Sequence, residues 1–109
     1  MQYLEVGKDI VISESAYSTI VYYAVSEIEE VLISKFNRKE ITERQLRQLV
    51  SLELTDYGVE ININVELCFG YNLEDICKKI QQNVIDMVEQ NIGYKPACVN
   101  IHVVKVSTC

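Results

Sequence analysis

The stretch that decides the fold is residues 73–106, LEDICKKIQQNVIDMVEQNIGYKPACVNIHVVKV. Its first part predicts an amphipathic helix over 73–91, because apolar residues recur at the spacing of one helical face. These apolar positions are 73, 76, 77, 80, 84, 87, 88 and 92. Gly93 stands where a left-handed C-terminal cap belongs, and Pro96 prevents the helix from continuing. The alternation over 98–106 predicts a closing strand. Where the alternation slips at two adjacent valines, we expect either a bulge or the point at which the strand leaves the sheet.

The residues before this stretch predict a β-hairpin. Segments 50–55 and 59–68 both alternate apolar and polar residues, and the turn signal Asp56-Tyr57-Gly58 separates them. The second segment holds five consecutive matches to a two-residue period, which is the clearest strand signal in the chain. We therefore expect an antiparallel pair of strands with one packed face and one wet face.

The first third of the chain predicts a strand followed by a helix. Residues 9–12 are a short strand candidate, and Ser13 can cap a helix because its hydroxyl can accept from an unpaired N–H in the first turn. Apolar residues then recur at helical spacing, so the helix should run from about 14 to 33. Residues 34–48 have few apolar anchors, and we interpret them as a loop or a short extra helix that starts at Thr42.

The predicted elements come in the order strand, helix, strand, strand, helix, strand. Two helices with one apolar stripe each match a sheet with one apolar face, so the simplest architecture is a two-layer α+β sandwich. We predict a mostly antiparallel four-stranded sheet with both helices on one face, in a ferredoxin-like arrangement whose strand order the sequence leaves open. The 109 residues should form a single domain, 1–109, with a variable basic segment at 33–48.

Charge and hydropathy restrict the partners and the compartment. The net charge of −6 argues against nucleic acid or an anionic membrane as a general partner. The N-terminus lacks the basic and apolar regions of a signal peptide, and no apolar run approaches the roughly 20 residues that span a bilayer. We therefore expect a cytoplasmic protein without a direct membrane span.

The basic residues are concentrated in one segment. Residues 35–47 hold five basic and two acidic side chains, although the whole chain has only 10 lysines and arginines. One interpretation is a solvated helix or loop with internal Glu–Arg pairs. A second is binding to an acidic surface, including another copy of the same chain. A third is a binding module for RNA or an anionic ligand that uses Arg44 and Arg47, although the segment lacks interleaved aromatic residues beyond Phe36.

Candidate catalytic and metal-binding residues are few. His102 is the only histidine, and no candidate nucleophile sits in a glycine-flanked elbow that could use it. A zinc site from Cys68, Cys98 and His102 would need neighbouring strands, and the cysteines form no Cys-x-x-Cys pair. Cys77 lies on the apolar helical stripe, where burial is the simpler interpretation. We predict no catalytic, cofactor-binding or metal-binding residue.

Two groups of surface residues have two interpretations each. The acidic cluster of Glu27, Glu29 and Glu30 is either a solvated helix face or a pair of carboxylates for acid/base work. The predicted outer face of the sheet is polar and poor in charge, so it is either simply wet or a surface for assembly. Adjacent tyrosines on one helix cannot both face one core, and an exposed tyrosine favours contact with a partner. The resulting candidate interaction residues are Tyr22, Tyr23, Arg44, Arg47, Asn62, Asn64, Asn100 and His102.

Several of these motifs, in this order, resemble the alkaline shock protein family, the Gram-positive envelope-stress proteins. The matching motifs are Ile12-Ser13, Val59-Glu60-Ile61-Asn62-Ile63, Ile80-Gln81-x-x-Val84, Val88-Glu89-x-x-Ile92-Gly93 and Val99-Asn100-Ile101-His102-Val103. The chain departs from the family pattern at Glu30, where the family usually has glycine, and in the next segment, which is basic and glycine-free here.

The resemblance implies a non-enzymatic cytosolic protein of the envelope stress response. Some members self-associate and are tethered to the membrane by an integral partner, and others are linked to control of fatty-acid metabolism. The family offers no catalytic residue and no cofactor to carry over. The expectation is therefore a homo-oligomer that docks to a membrane-anchored protein; regulation of lipid metabolism and binding of RNA or another anion are the alternatives.

Overall fold

The computed structural model describes residues 3–7, 9–32 and 41–108. These residues form five strands and three helices. In chain order they are β1 (Tyr3–Gly7), β2 (Ile10–Ser13), α1 (Glu14–Ser26), α2 (Glu43–Leu49), β3 (Val50–Thr55), β4 (Gly58–Cys68), α3 (Leu73–Ile92) and β5 (Cys98–Ser107).

The strands form two sheets, so the predicted single four-stranded sheet is wrong. The main sheet has the order β3-β4-β5, with β3 antiparallel and β5 parallel to β4, and is therefore not mostly antiparallel. β2, the first predicted strand, pairs with β1 in a separate antiparallel hairpin. The turn between them includes Asp9 at a φ of 63°. Local closure explains the difference, because a short loop costs less entropy than pairing with a distant strand.

The first helix ends earlier than predicted. It stops at Ser26 rather than near residue 33, and Val31 then forms an antiparallel bridge with Leu67 of β4. Backbone N–H groups of residues 32 and 68 donate to carbonyls of residues 66 and 30 at 2.8 and 3.0 Å. Val31, which continued the helical spacing in the sequence, therefore lies beside the half of β4 that β3 does not reach.

The short helix α2 confirms one of the two interpretations of residues 34–48, although 33–40 lie outside the described residues. Thr42 Oγ1 accepts from the Gln45 N–H at 3.2 Å, and Gln45 Oε1 accepts from the Thr42 N–H at 3.1 Å. This reciprocal capping box pairs two otherwise unpaired N–H groups at the start of the helix.

Helices α1 and α3 pack against each other and cover one face of the main sheet, as predicted. The inner side of β4 and the stripe of α3 are buried in one hydrophobic core. Gly93 ends α3 in the left-handed conformation at a φ of 92°, so the predicted cap is confirmed. The register of β4 with β5 shifts beside Val104 and the pairing continues to Ser107, so the slip in alternation is a bulge and not the end of the pairing. The fully buried side chains include Val21, Tyr22, Ile61, Ile63, Leu67, Ile80, Val84 and Val88.

Candidate interaction surface

The face of the main sheet opposite the helices brings the predicted polar residues together. The parallel register places Asn62 beside Asn100 and Asn64 beside His102. We call this surface the outer face. It consists of Ser51, Glu53, Glu60, Asn62, Asn64, Glu66, Cys98, Asn100, His102 and Lys105.

Hydrogen bonds hold the amides of the outer face in fixed orientations. The Asn100 Nδ2 donates to Glu60 Oε1 at 3.1 Å and to Asn62 Oδ1 at 3.0 Å. The Asn64 Nδ2 donates to the Gln48 carbonyl at the end of α2, at 3.1 Å. The surface therefore presents ordered polar groups, a condition that lowers the entropic cost of binding.

The outer face is acidic, so the expectation of a face poor in charge is wrong. Glu53 of β3 lies directly opposite Glu60 of β4, an arrangement that like charges make unfavourable. Glu66 lies further along β4, with Lys105 Nζ 3.9 Å from its Oε1. The two-residue alternation of β4 already places Glu60 and Glu66 on the same side of the strand as the asparagines. The register of β3 with β4 adds Glu53.

The register excludes the zinc site suggested for Cys68, Cys98 and His102. Cys98 pairs with residue 60, His102 with residue 64, and Cys68 with Ser107. These three positions along β4, residues 60, 64 and 68, are four residues apart, so neighbouring candidate ligands are separated by about 13 Å along the strand. This separation is far greater than a zinc–ligand bond. In the part of the chain that the structure describes, no group of three His, Cys, Asp or Glu side chains could hold a metal ion.

The family assignment follows from a match over nearly the whole chain. The sequence profile of the alkaline shock protein 23 family, described by a cell envelope-related function, matches residues 4–108. The chain belongs to this family. No curated protein and no solved structure matches it. Within the described residues, no helix is both long and apolar enough to cross a membrane.

Glu30, where the resemblance led us to expect glycine, has a structural role. Lys79 Nζ of α3 lies 2.9 Å from Glu30 Oε1, and this contact holds the pKa of the Glu30 carboxyl below its usual value. Nearby, Asn83 Nδ2 donates to the Ala24 carbonyl at 2.6 Å and to Glu27 Oε2 at 3.0 Å. Two of the three clustered acids therefore connect the segment at the end of α1 to α3.

The remaining candidate residues of this family member differ in exposure. Tyr22 is fully buried in the core, so it offers no contact to a partner, whereas Tyr23 is 52% exposed. Arg44 and Arg47 lie exposed on α2, as a role in ligand binding would require. Cys77 packs against the core, and burial raises the pKa of its thiol, as a structural cysteine should show.

Sequence reasoning missed a small cavity because it depends on β1, which was not predicted. The cavity has a volume of about 160 Å³, and its lining includes Tyr17, Leu54, Tyr57 and Tyr94. Burial raises the pKa of Tyr17 to about 12. A methyl group added at Gly7 would come within 2.5 Å of the Tyr94 ring, so Tyr94 lies directly over β1.

Proposed function

We propose that this chain is a non-enzymatic cytoplasmic protein of cell-envelope homeostasis that acts by self-association and by docking to a membrane-anchored partner. Membership of the alkaline shock protein 23 family supports the envelope-related role. The observation that carries the docking is the outer face, which is polar, internally ordered and on the side of the sheet away from α1 and α3.

The charge of the outer face supports a partner of opposite sign. Three glutamates and one lysine lie on it, so its net charge is negative when these groups are ionised. A basic segment of a membrane-anchored protein would complement this field, and complementary charge raises the rate and the specificity of association. Two copies of the acidic face would repel each other, so the outer face fits a different partner better than a second copy.

The use of the reactive side chains supports a non-enzymatic role. Glu27 and Glu30 bind Asn83 and Lys79 in contacts between helices, and Cys77 packs against the core. These groups have structural partners that explain their positions. Recognition of a partner requires no additional chemistry from these side chains.

Capture of membrane proteins from the native host tests the docking. The double variant Asn64→Ala/His102→Ala alters the outer face at two exposed neighbours, and Arg44→Ala/Arg47→Ala alters α2 as a matched control. We expect the wild type and the α2 variant to retain an integral membrane protein, identified by mass spectrometry, that the outer-face variant loses. Equal capture by all three proteins would overturn the docking surface.

The same variants test the alternative of RNA or anion binding. If the basic residues bind an anion, the α2 variant should lose a binding activity that falls steeply with salt, because each neutralised phosphate releases counterions. Self-association is tested separately by light scattering of the wild type. A strict monomer at high micromolar concentration would contradict it.

A further inference from the structure

Within the described residues, the fifth strand has an open edge. β5 is ten residues long and lies at the margin of the order β3-β4-β5. Among the residues that the structure describes, backbone hydrogen bonds join β5 to β4 and to Phe69, which directly follows β4, and none joins its opposite edge. An open strand edge is a template for pairing with another chain.

The hydrogen bonds at the two ends of β5 show which backbone groups face the open edge. The Ala97 N–H donates to the Val59 carbonyl at 2.8 Å, and the Ser107 carbonyl accepts from the Phe69 N–H at 2.7 Å. In a parallel pair, alternate residues of a strand bond to the same neighbour. On β4, the Val59 carbonyl bonds to the β5 side, whereas the Glu66 carbonyl and the Cys68 N–H bond to residues 32 and 30 on the other side, so the odd-numbered residues of β4 face β5. In the parallel register that places Ile61 beside Val99, they bond to Cys98, Asn100 and His102. Up to the bulge, the N–H and C=O groups of Val99, Ile101 and Val103 therefore point away from β4.

The same part of β5 lacks the features that usually protect an edge. Residues 98–103 contain no charged side chain and no proline, and the inner positions 99, 101 and 103 are β-branched. A bulge and a lysine, which protect many natural edges, come only afterwards, at Val104 and Lys105. The first six residues of β5 are thus suited to pairing along their whole length.

We propose that β5 pairs in antiparallel orientation with β5 of a second copy, about a two-fold axis at Asn100. This inference rests on the proposed self-association and assigns its surface. Asn100 then faces itself, and Cys98 faces His102 of the other copy. Val99 of each copy would face Ile101 of the other, and these two pairs would exchange about four backbone hydrogen bonds and join two three-stranded sheets into one.

Charge favours a second copy as the occupant of this edge. A two-fold axis duplicates every residue near it, so a charged side chain in the paired segment would meet a like charge, and 98–103 has none. Apolar inner residues meet apolar residues, and Asn100 meets asparagine. The two Glu60 side chains would lie three strand spacings apart, about 14 Å, which exceeds the Debye length of about 8 Å at physiological salt.

Disulfide trapping tests this register directly. Cys98 is free and exposed, and in this non-hydrogen-bonded pair its Cα would lie about 4.5 Å from the Cα of residue 102 of the other copy, within the range for a disulfide. We expect His102→Cys to give, on mild oxidation, a covalent dimer in which Cys98 of one copy is linked to position 102 of the other. The matched control Asn64→Cys, at the same level but one strand further from the edge, should give no such link.

A second variant measures the non-covalent dimer. Asn100→Lys places two lysines opposite each other across the two-fold axis, where like charges are unfavourable, and within its own chain the lysine stands beside Glu60 and Asn62. We expect light scattering to report a mass halved relative to the wild type, with the circular dichroism spectrum retained. If the wild type is oligomeric but neither the cross-link nor the loss of mass appears, the β5 edge is refuted and the proposed self-association remains. If the wild type is a monomer, both are refuted.

Discussion

Asn83 should contribute more to stability than its position on a helix surface suggests. Its amide donates to the Ala24 carbonyl at 2.6 Å and to Glu27 Oε2 at 3.0 Å. The Ala24 carbonyl is among the last of α1, where no intrahelical N–H follows to pair it. The Asn83→Ala variant would leave this half-buried oxygen without its donor from α3.

The magnitude follows from the two lost bonds. Each is worth about 1 kcal/mol net, and an acceptor left without its donor adds to this if it is shielded from water. Alanine recovers about 0.6 kcal/mol because its helix propensity exceeds that of asparagine. We therefore expect the free energy of unfolding to fall by about 1–2 kcal/mol.

Urea unfolding followed by circular dichroism measures this change, with Gln82→Ala as the matched control. The adjacent Gln82 is exposed, and its Nε2 bonds only to Asp86 within the same helix, at 2.8 Å. The Gln82→Ala substitution should lower the free energy of unfolding by less than about 0.5 kcal/mol. If Asn83→Ala costs no more than Gln82→Ala, the contact between α1 and α3 has no energetic role. Asn83→Asp should cost more than Asn83→Ala at neutral pH and recover in acid, because it places a second carboxylate beside Glu27.

Three further predictions concern titration and packing. Because burial raises the pKa of Tyr17 from 10.0 to about 12, the free energy of unfolding should fall as the pH rises from 10.0 to about 12. The urea midpoint of Tyr17→Phe should not show this decrease. Because Lys79 lowers the pKa of Glu30, the stability that Glu30 gains over Glu30→Gln should be present above the unfolded pKa and disappear as the pH falls through the lower folded pKa. Gly7→Ala should displace the Tyr94 ring, seen by NMR, and lower the free energy of unfolding by about 1 kcal/mol, but should have no such cost in a Tyr94→Ala background.

Periodicity predicted the elements that are long and strongly patterned. The helix over 73–91 and the strand over 59–68 were predicted almost to their ends, because each buries one regular face. The pairing of strands was not predictable in this way. A strand shows which of its sides is apolar, but not which neighbour it joins, so β2 gave no sign that it pairs with β1. Val31 misled for a related reason, since an apolar residue fits a helical stripe and a sheet bridge equally well.

The candidate surface was predicted in part. The alternation of β4 and β5 correctly put Asn62, Asn64, Asn100 and His102 on one face, since the two strands are neighbours in register. The expected lack of charge on that face was wrong: the alternation of β4 itself places Glu60 and Glu66 beside the asparagines, and the β3 register adds Glu53 opposite Glu60. Tyr22 was misassigned because a helical stripe does not tell which of two adjacent tyrosines faces the core.

The two proposed contacts are geometrically compatible. Pairing at the β5 edge extends the main sheet in its own plane, so it leaves the outer face uncovered. A two-fold axis that relates antiparallel strands of one sheet stands perpendicular to that sheet, so both outer faces would point in the same direction. The dimer would present two acidic faces side by side to a membrane-anchored partner, and two linked weak contacts hold more tightly than either one alone. Self-association would then strengthen docking without adding a contact to the docking surface.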